Sequence, residues 1–141
     1  MHKNFIHNVK VYYEDTDAGG VVYYANYLKF LERARTEAIT KIGLSNRKIK
    51  EDLGLFIIVK SCNIEYKKSA HLEDELSIRS FVKSITKTSF FMTQIITRKE
   101  DVISEALVHL VFINNLGKPQ KIPNKIYESF RPYFCDSIKL K

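Results

Sequence analysis

The hydrophobic pattern changes period three times along the chain. Between Phe5 and Tyr13, Phe5, His7, Val9, Val11 and Tyr13 alternate with polar positions such as Asn8 and Lys10, which predicts a strand with one buried face. Gly19 and Gly20 then mark a loop. From about Ala25 the spacing turns helical. Tyr27, Phe30, Leu31, Ala34, Ala38 and Ile42 share one stripe, widened by Leu28 and Ile39. Glu32, Arg33, Arg35, Glu37 and Lys41 fill the remaining surface, and Gly43 stops the helix. A stripe this broad predicts a largely buried helix lying against the concave face of a sheet.

After a polar stretch over Ser45–Asp52, read as a turn or two of helix, the chain is dominated by strands. Four runs rich in β-branched and aromatic residues follow: Leu55–Lys68, Asp74–Ile85, Ser89–Lys99 and Val102–Asn115. Their separators are short enough for antiparallel neighbours. Pro123 is placed to open a last amphipathic helix carrying Ile126, Tyr127 and Phe130, closed before Pro132. The expected fold class is α+β: one antiparallel sheet of about five strands wrapped around one long helix. A sheet covered by a single helix keeps an open face and open edges, so self-association is expected.

The 141 residues suit one domain, taken as 1–141. With 45% hydrophobic and 28% charged residues, the composition is that of an ordinary globular protein. The longest apolar run, Ala106–Ile113, is far short of the roughly 18 residues of a membrane span. The first ten residues hold no apolar stretch of signal-peptide length, so a cytoplasmic location is expected. Cys62 and Cys135 suggest neither a disulfide framework nor a zinc site. The net charge of +7 favours anionic partners, but the basic residues are dispersed, and nucleic-acid binding is not expected.

Candidate chemistry gathers just before the long helix. Glu14, Asp15 and Asp17 precede Gly19 and Gly20, and the helix N-terminus follows. A glycine loop and a helix N-terminus offer backbone donors able to polarise a carbonyl. A nearby carboxylate, Asp17 above all, could act as general base on water or as nucleophile. Plainer readings stand beside this one. Glu14 and Asp15 fit solvated turn residues, and Asp17 fits an Asx turn feeding Gly19. An acidic metal site is also conceivable, but the spacing lacks the EF-hand pattern and no histidine lies close in sequence. The histidines read as bystanders: His2 near the terminus, His7 on a strand, His71 in a turn and His109 packed or satisfied within an apolar run.

The stretch from Val11 to Arg35, with its order Y-x-D-T-D-x-x-G-V-V-Y and then E-x-A-R, resembles the signature of hotdog-fold acyl-CoA thioesterases. These belong to the 4-hydroxybenzoyl-CoA thioesterase family, and the closer resemblance is to its YbgC-like, Tol-Pal-associated branch. The resemblance implies a hotdog fold and hydrolysis of acyl-CoA, or of acyl groups on acyl carrier protein, without metal or redox cofactor. It implies a homodimer or homotetramer, with the acyl chain in an apolar channel between subunits. It places the catalytic carboxylate at Asp17 and the carbonyl-polarising backbone N–H at Tyr24. Tyr13, Gly20 and Val22 fall at substrate-binding positions. Asp15 helps to shape the turn, and Glu32 and Arg35 match the E-x-A-R positions. Lys87, Thr88 and Ser89 match a turn that contacts the CoA nucleotide, although a plain hairpin turn is an equal reading. One position departs: many members carry histidine where this chain has Tyr24. A dehydratase on the same fold, and a non-catalytic binder of acyl carriers or envelope proteins, are the competing readings.

Overall fold

The computed structural model describes residues 3–135. His2 therefore lies outside the described residues. Strands β1 (Phe5–Lys10), β2 (Phe56–Tyr66), β3 (Glu75–Ile85), β4 (Ser89–Arg98) and β5 (Asp101–Ile113) form one antiparallel sheet in the order β1-β3-β4-β5-β2. Helix α1 (Asn26–Lys41) lies on one face of it, and α2 (Asn46–Leu53) and α3 (Asn124–Phe130) are short. This is the α+β plan expected above, with its five strands and one long helix.

The helical stripe makes the core. Tyr27, Phe30, Leu31, Ala34, Ala38 and Ile39 are buried against sheet residues such as Ile78, Val82, Met92, Ile96 and Val108. Burial of side chains like Phe30 and Leu31 contributes about 1.5–3 kcal/mol each. A polar thread runs through this apolar layer. Gln94 of β4, fully buried, donates through Nε2 to the Leu31 carbonyl at 3.1 Å and to Ser80 Oγ at 3.0 Å. Its Oε1 accepts from Arg35 at 3.0 Å.

Two expectations are corrected. First, β1 ends at Lys10 rather than Tyr13. The Asp15 carboxylate accepts the Tyr12 N–H at 2.9 Å and curls Tyr13–Asp15 into a 3-10 turn, which leaves the Tyr13 side chain 81% exposed. Second, Leu28 is 45% exposed and lies outside the buried stripe; helical spacing puts it on the face of Tyr24, whose ring meets Tyr66 at a seam between α1 and β2. His109 is packed, as read from the sequence: it is stacked on Phe91, with ring centroids 4.0 Å apart, and its buried Nε2 has no hydrogen-bond partner among the described residues.

Strand β2 occupies a sheet edge, bonded to β5 alone. It is exposed along most of its length, including Ile58, Val59, Cys62 and Tyr66. The other cysteine, Cys135, is buried. Among the described residues no helix is long and apolar enough to cross a membrane.

Candidate active site

The acidic loop is a small, self-bonded hairpin. Thr16 and Val22 pair as an isolated bridge, with Asp17 N–H donating to the Val21 carbonyl at 2.9 Å. Gly20 N–H donates back to the Asp17 carbonyl at 3.0 Å, and Gly20 takes φ +80°, where a side chain would be strained. Asp17 Oδ1 accepts the Gly19 N–H at 2.8 Å, so the Asx turn read from the sequence does form. A Cβ on Gly19 would sit 3.3 Å from that oxygen, so the glycine leaves the carboxylate room. Asp17 remains solvent-exposed, and its second oxygen has no partner among the described residues.

The loop is anchored from beneath. Asp15 is buried, and its carbonyl accepts Tyr23 N–H at 3.0 Å and Asn26 Nδ2 at 2.8 Å, fixing the loop to the head of α1. Val22 belongs to the core, and its N–H donates to the Ala70 carbonyl at 2.8 Å. At the head of α1 the N–H groups of Asn26, Tyr27 and Leu28 turn back onto the carbonyls of Tyr23, Tyr24 and Ala25 at 2.8, 3.3 and 3.2 Å. No side chain caps this helix. The N–H groups of Tyr24 and Ala25 donate to nothing among the described residues and carry the positive end of the helix dipole. A half-satisfied carboxylate and free backbone donors therefore flank one loop, Asp17 at its start and Tyr24 and Ala25 where it runs into α1.

Tyrosines surround this turn. The Tyr24 side chain is 60% exposed, its ring 4.9 Å from Tyr23 and edge-on to Tyr66 at 6.2 Å. Tyr66 Oη donates to the Tyr24 carbonyl at 3.2 Å, and burial pushes the Tyr66 phenol above its ordinary pKa. One neighbour was hidden from sequence reasoning. His71, distant in the chain, bridges Val21 in antiparallel fashion and stands beside the glycine loop. Its N–H donates to Asp74 Oδ2 at 2.8 Å. Burial raises the pKa of Asp74, but the Arg98 hydrogen bond at 2.8 Å and the His71 N–H outweigh it and hold the carboxyl below its usual range. No sequence signal announces that contact, because it depends on how the β2–β3 loop folds back.

The Lys87–Ser89 turn is elsewhere. Strand β3 starts beside the acidic loop, where Val11 N–H meets the Asp74 carbonyl at 2.9 Å, and ends at this turn. Eleven residues of strand put the two about 35 Å apart within one protomer. Ser89 is buried and its hydroxyl shares a 2.8 Å hydrogen bond with Thr86. The Thr88 carbonyl accepts Phe112 N–H at 3.0 Å and the Lys87 carbonyl accepts Ile122 N–H at 2.8 Å, leaving the Lys87 side chain exposed. Among the described residues no group of three or more His, Cys, Asp or Glu is arranged to hold a metal ion.

The model of the thioesterase-like superfamily matches residues 11–130. The chain belongs to that family. It is 40% identical over 125 residues to the acyl-CoA thioester hydrolase YbgC of Escherichia coli O6:H1, covering 87% of this chain and 92% of that one. It is 36% identical over 132 residues to the acyl-CoA thioesterase YbgC of Haemophilus influenzae, covering 92% and 96%. A probable thioesterase from Bartonella henselae superposes with a TM-score of 0.83 at 32% identity, over 86% of this chain and all of that one. The sheet and helix are thus those of the hotdog fold, and the chain is a thioesterase-family enzyme.

Proposed function

We propose that this protein hydrolyses acyl-CoA thioesters at the Asp17 turn. The observation that carries this reading is that one loop carries both an exposed, half-satisfied Asp17 carboxylate and undonated N–H groups at Tyr24 and Ala25. The free N–H groups would hold the thioester oxygen as negative charge develops on it. Asp17 would then either take a proton from the attacking water or attack the carbonyl itself to give an anhydride that water opens; CoA thiolate leaves in both routes. The hydrogen bond from Gly19 keeps one carboxylate oxygen in place and leaves the other for this work. The backbone donor does not depend on the Tyr24 side chain, so a phenol at a position often held by histidine is compatible with the reaction.

The separation between Asp17 and Lys87 supports a homodimer. Antiparallel pairing of two β2 edges across a twofold axis would carry the partner subunit's Lys87 to the Asp17 end of this protomer. Lys87 and the Thr88 hydroxyl would then face the CoA phosphates, with Ser89 holding the turn from inside. The same pairing would close the seam beside Leu28 over the acyl chain, with Tyr13 and Gly20 at its mouth and Val22 supporting the floor. We assign the whole chain to one such domain working in the cytoplasm, on CoA or on acyl carrier protein, whose acidic surface the +7 net charge would suit.

Thiol release from a panel of acyl-CoAs, wild type against Asp17→Asn, tests the proposal. Turnover by the wild type and its loss in a folded variant are expected. Equal turnover by both would remove Asp17 from the chemistry, and none by either would favour the non-catalytic binder.

A further inference from the structure

The seam between α1 and β2 can be followed residue by residue. It begins where Tyr66 meets Tyr24. At helical spacing the exposed Leu28, then Glu32 and Arg35, follow Tyr24 on one face of α1. At strand spacing Ile64 and Cys62 follow Tyr66 on one face of β2. Arg35 stands near Cys62, and both Glu32 and Arg35 line a cavity. The cavity, about 150 Å³, is lined by apolar groups including Ile39, Ile57, Val59, Phe90 and Met92, and Glu32 and Arg35 stand on its wall. The apolar path from the helix head to this cavity is therefore interrupted by one pair of charges.

Arg35 is the anchored member of the pair, while Glu32 is exposed. Arg35 is tied by Nη1 to the buried Gln94, and it has no carboxylate at ion-pair distance among the described residues. Burial lowers its pKa from the ordinary value, the mark of a guanidinium standing in apolar surroundings. Glu32 Oε2 accepts from Thr36 Oγ1 at 2.7 Å. Sliding an alkyl chain between such groups would strip their remaining water without replacing it.

We propose that Arg35, with Glu32, is the stop that sets acyl chain length, confining the enzyme to acyl groups of up to about eight carbons and closing off the apolar cavity behind it. The inference rests on the reading that the thioester sits at Asp17 and the Tyr24 N–H. The length follows from geometry. From Tyr24 to Arg35 the helix advances about 16 Å, and Arg35 leans back to Gln94, which also bonds the Leu31 carbonyl, so its head stands about 12 Å along. An extended chain gains about 1.2 Å per bond, so that span holds about ten bonds. Contact distance to the guanidinium, about 3.5–4 Å, shortens the limit to about eight.

The test is kcat/KM for straight-chain acyl-CoAs from butanoyl to hexadecanoyl in the wild type, Arg35→Met, Arg35→Lys, Val59→Phe and Asp17→Asn. Each methylene newly buried adds about fourfold to kcat/KM. The wild type should climb to about eight carbons and then fall off. Arg35→Met should raise the ratio of dodecanoyl to octanoyl by about tenfold or more, while Arg35→Lys keeps the wild-type profile. Val59→Phe, with sedimentation checking that the proposed β2 pairing is kept, fills the cavity from β2. It should leave the wild-type profile unchanged, and should cancel the gain when added to Arg35→Met. An unchanged profile in Arg35→Met overturns the inference, even where sedimentation shows that the variant has altered self-association. So does a wild type that gains beyond about eight carbons and loses that gain on Val59→Phe, a result that stands even if Arg35→Met does not fold. Turnover surviving Asp17→Asn would instead strike the reading of the site itself.

Discussion

The hydroxyl of Tyr27, on the first turn of α1, accepts a hydrogen bond at 3.0 Å from the backbone N–H of Ala70, and both residues are buried. Ala70 in turn accepts from Val22, so this one hydroxyl ties the helix head to the strand that closes the acidic loop. Tyr27→Phe removes the acceptor and leaves a buried N–H without a partner, at a cost of about 1–3 kcal/mol. A lowered denaturant midpoint at unchanged m-value is expected, with a further loss of turnover from the loosened loop.

Asp15 and Asp17, two residues apart, should separate cleanly in experiment. Asp17→Asn keeps an acceptor for Gly19 and should leave stability within about 0.5 kcal/mol. Its turnover should fall by about 10²–10⁴-fold, the usual worth of a positioned proton-transfer group. Asp15→Ala should instead lower the melting midpoint, because it uncaps the Tyr12 N–H and opens a buried site. Circular dichroism melts beside the thiol-release assay distinguish the two effects.

Gln94→Leu is close in size but strips three hydrogen bonds from the core at once, those to Leu31, Ser80 and Arg35. A loss of about 2–4 kcal/mol is expected, since it leaves a buried hydroxyl and a half-buried guanidinium unsatisfied and strips the Leu31 carbonyl of its second donor. Chemical denaturation checks it. Gln94→Glu should cost less, because a carboxylate still accepts from Arg35.

The Asp74 carboxyl is held below its unfolded value by Arg98 and the His71 N–H. A folded pKa below the unfolded one means that the contribution is present above about pH 4, the unfolded value, and fades as pH falls through the folded pKa. Asp74→Asn should therefore flatten the acid limb of the stability–pH curve and reduce stability at neutral pH. Urea midpoints measured between pH 2 and 7 test both the sign and the window.

The element order, the helical stripe and the site motif were all legible in the chain, because each rests on local periodicity or on a short run of residues. Leu28, Ile58 and Val59 were not. An apolar residue on a periodic face reads the same whether it meets the core, a seam or an open edge, and only the strand order tells these apart. The end of β1 escaped for a different reason: alternation continues through Tyr13, while a single carboxylate two positions on turns the backbone. His71 and the remoteness of Lys87 depend on which loops share an end of the sheet, and no local pattern encodes that.

Strand β2 offers eleven residues of edge, with Ile58 and Val59 side by side near its start and Lys60 the first charge after them. Natural sheets seldom leave so long an edge unguarded. Whatever docks there also keeps stray extended chains away. Substitutions that weaken docking would thus register first as poor yield and precipitation, in a protein whose individual fold is intact. Screening such variants by solubility would find residues that an unfolding assay passes over.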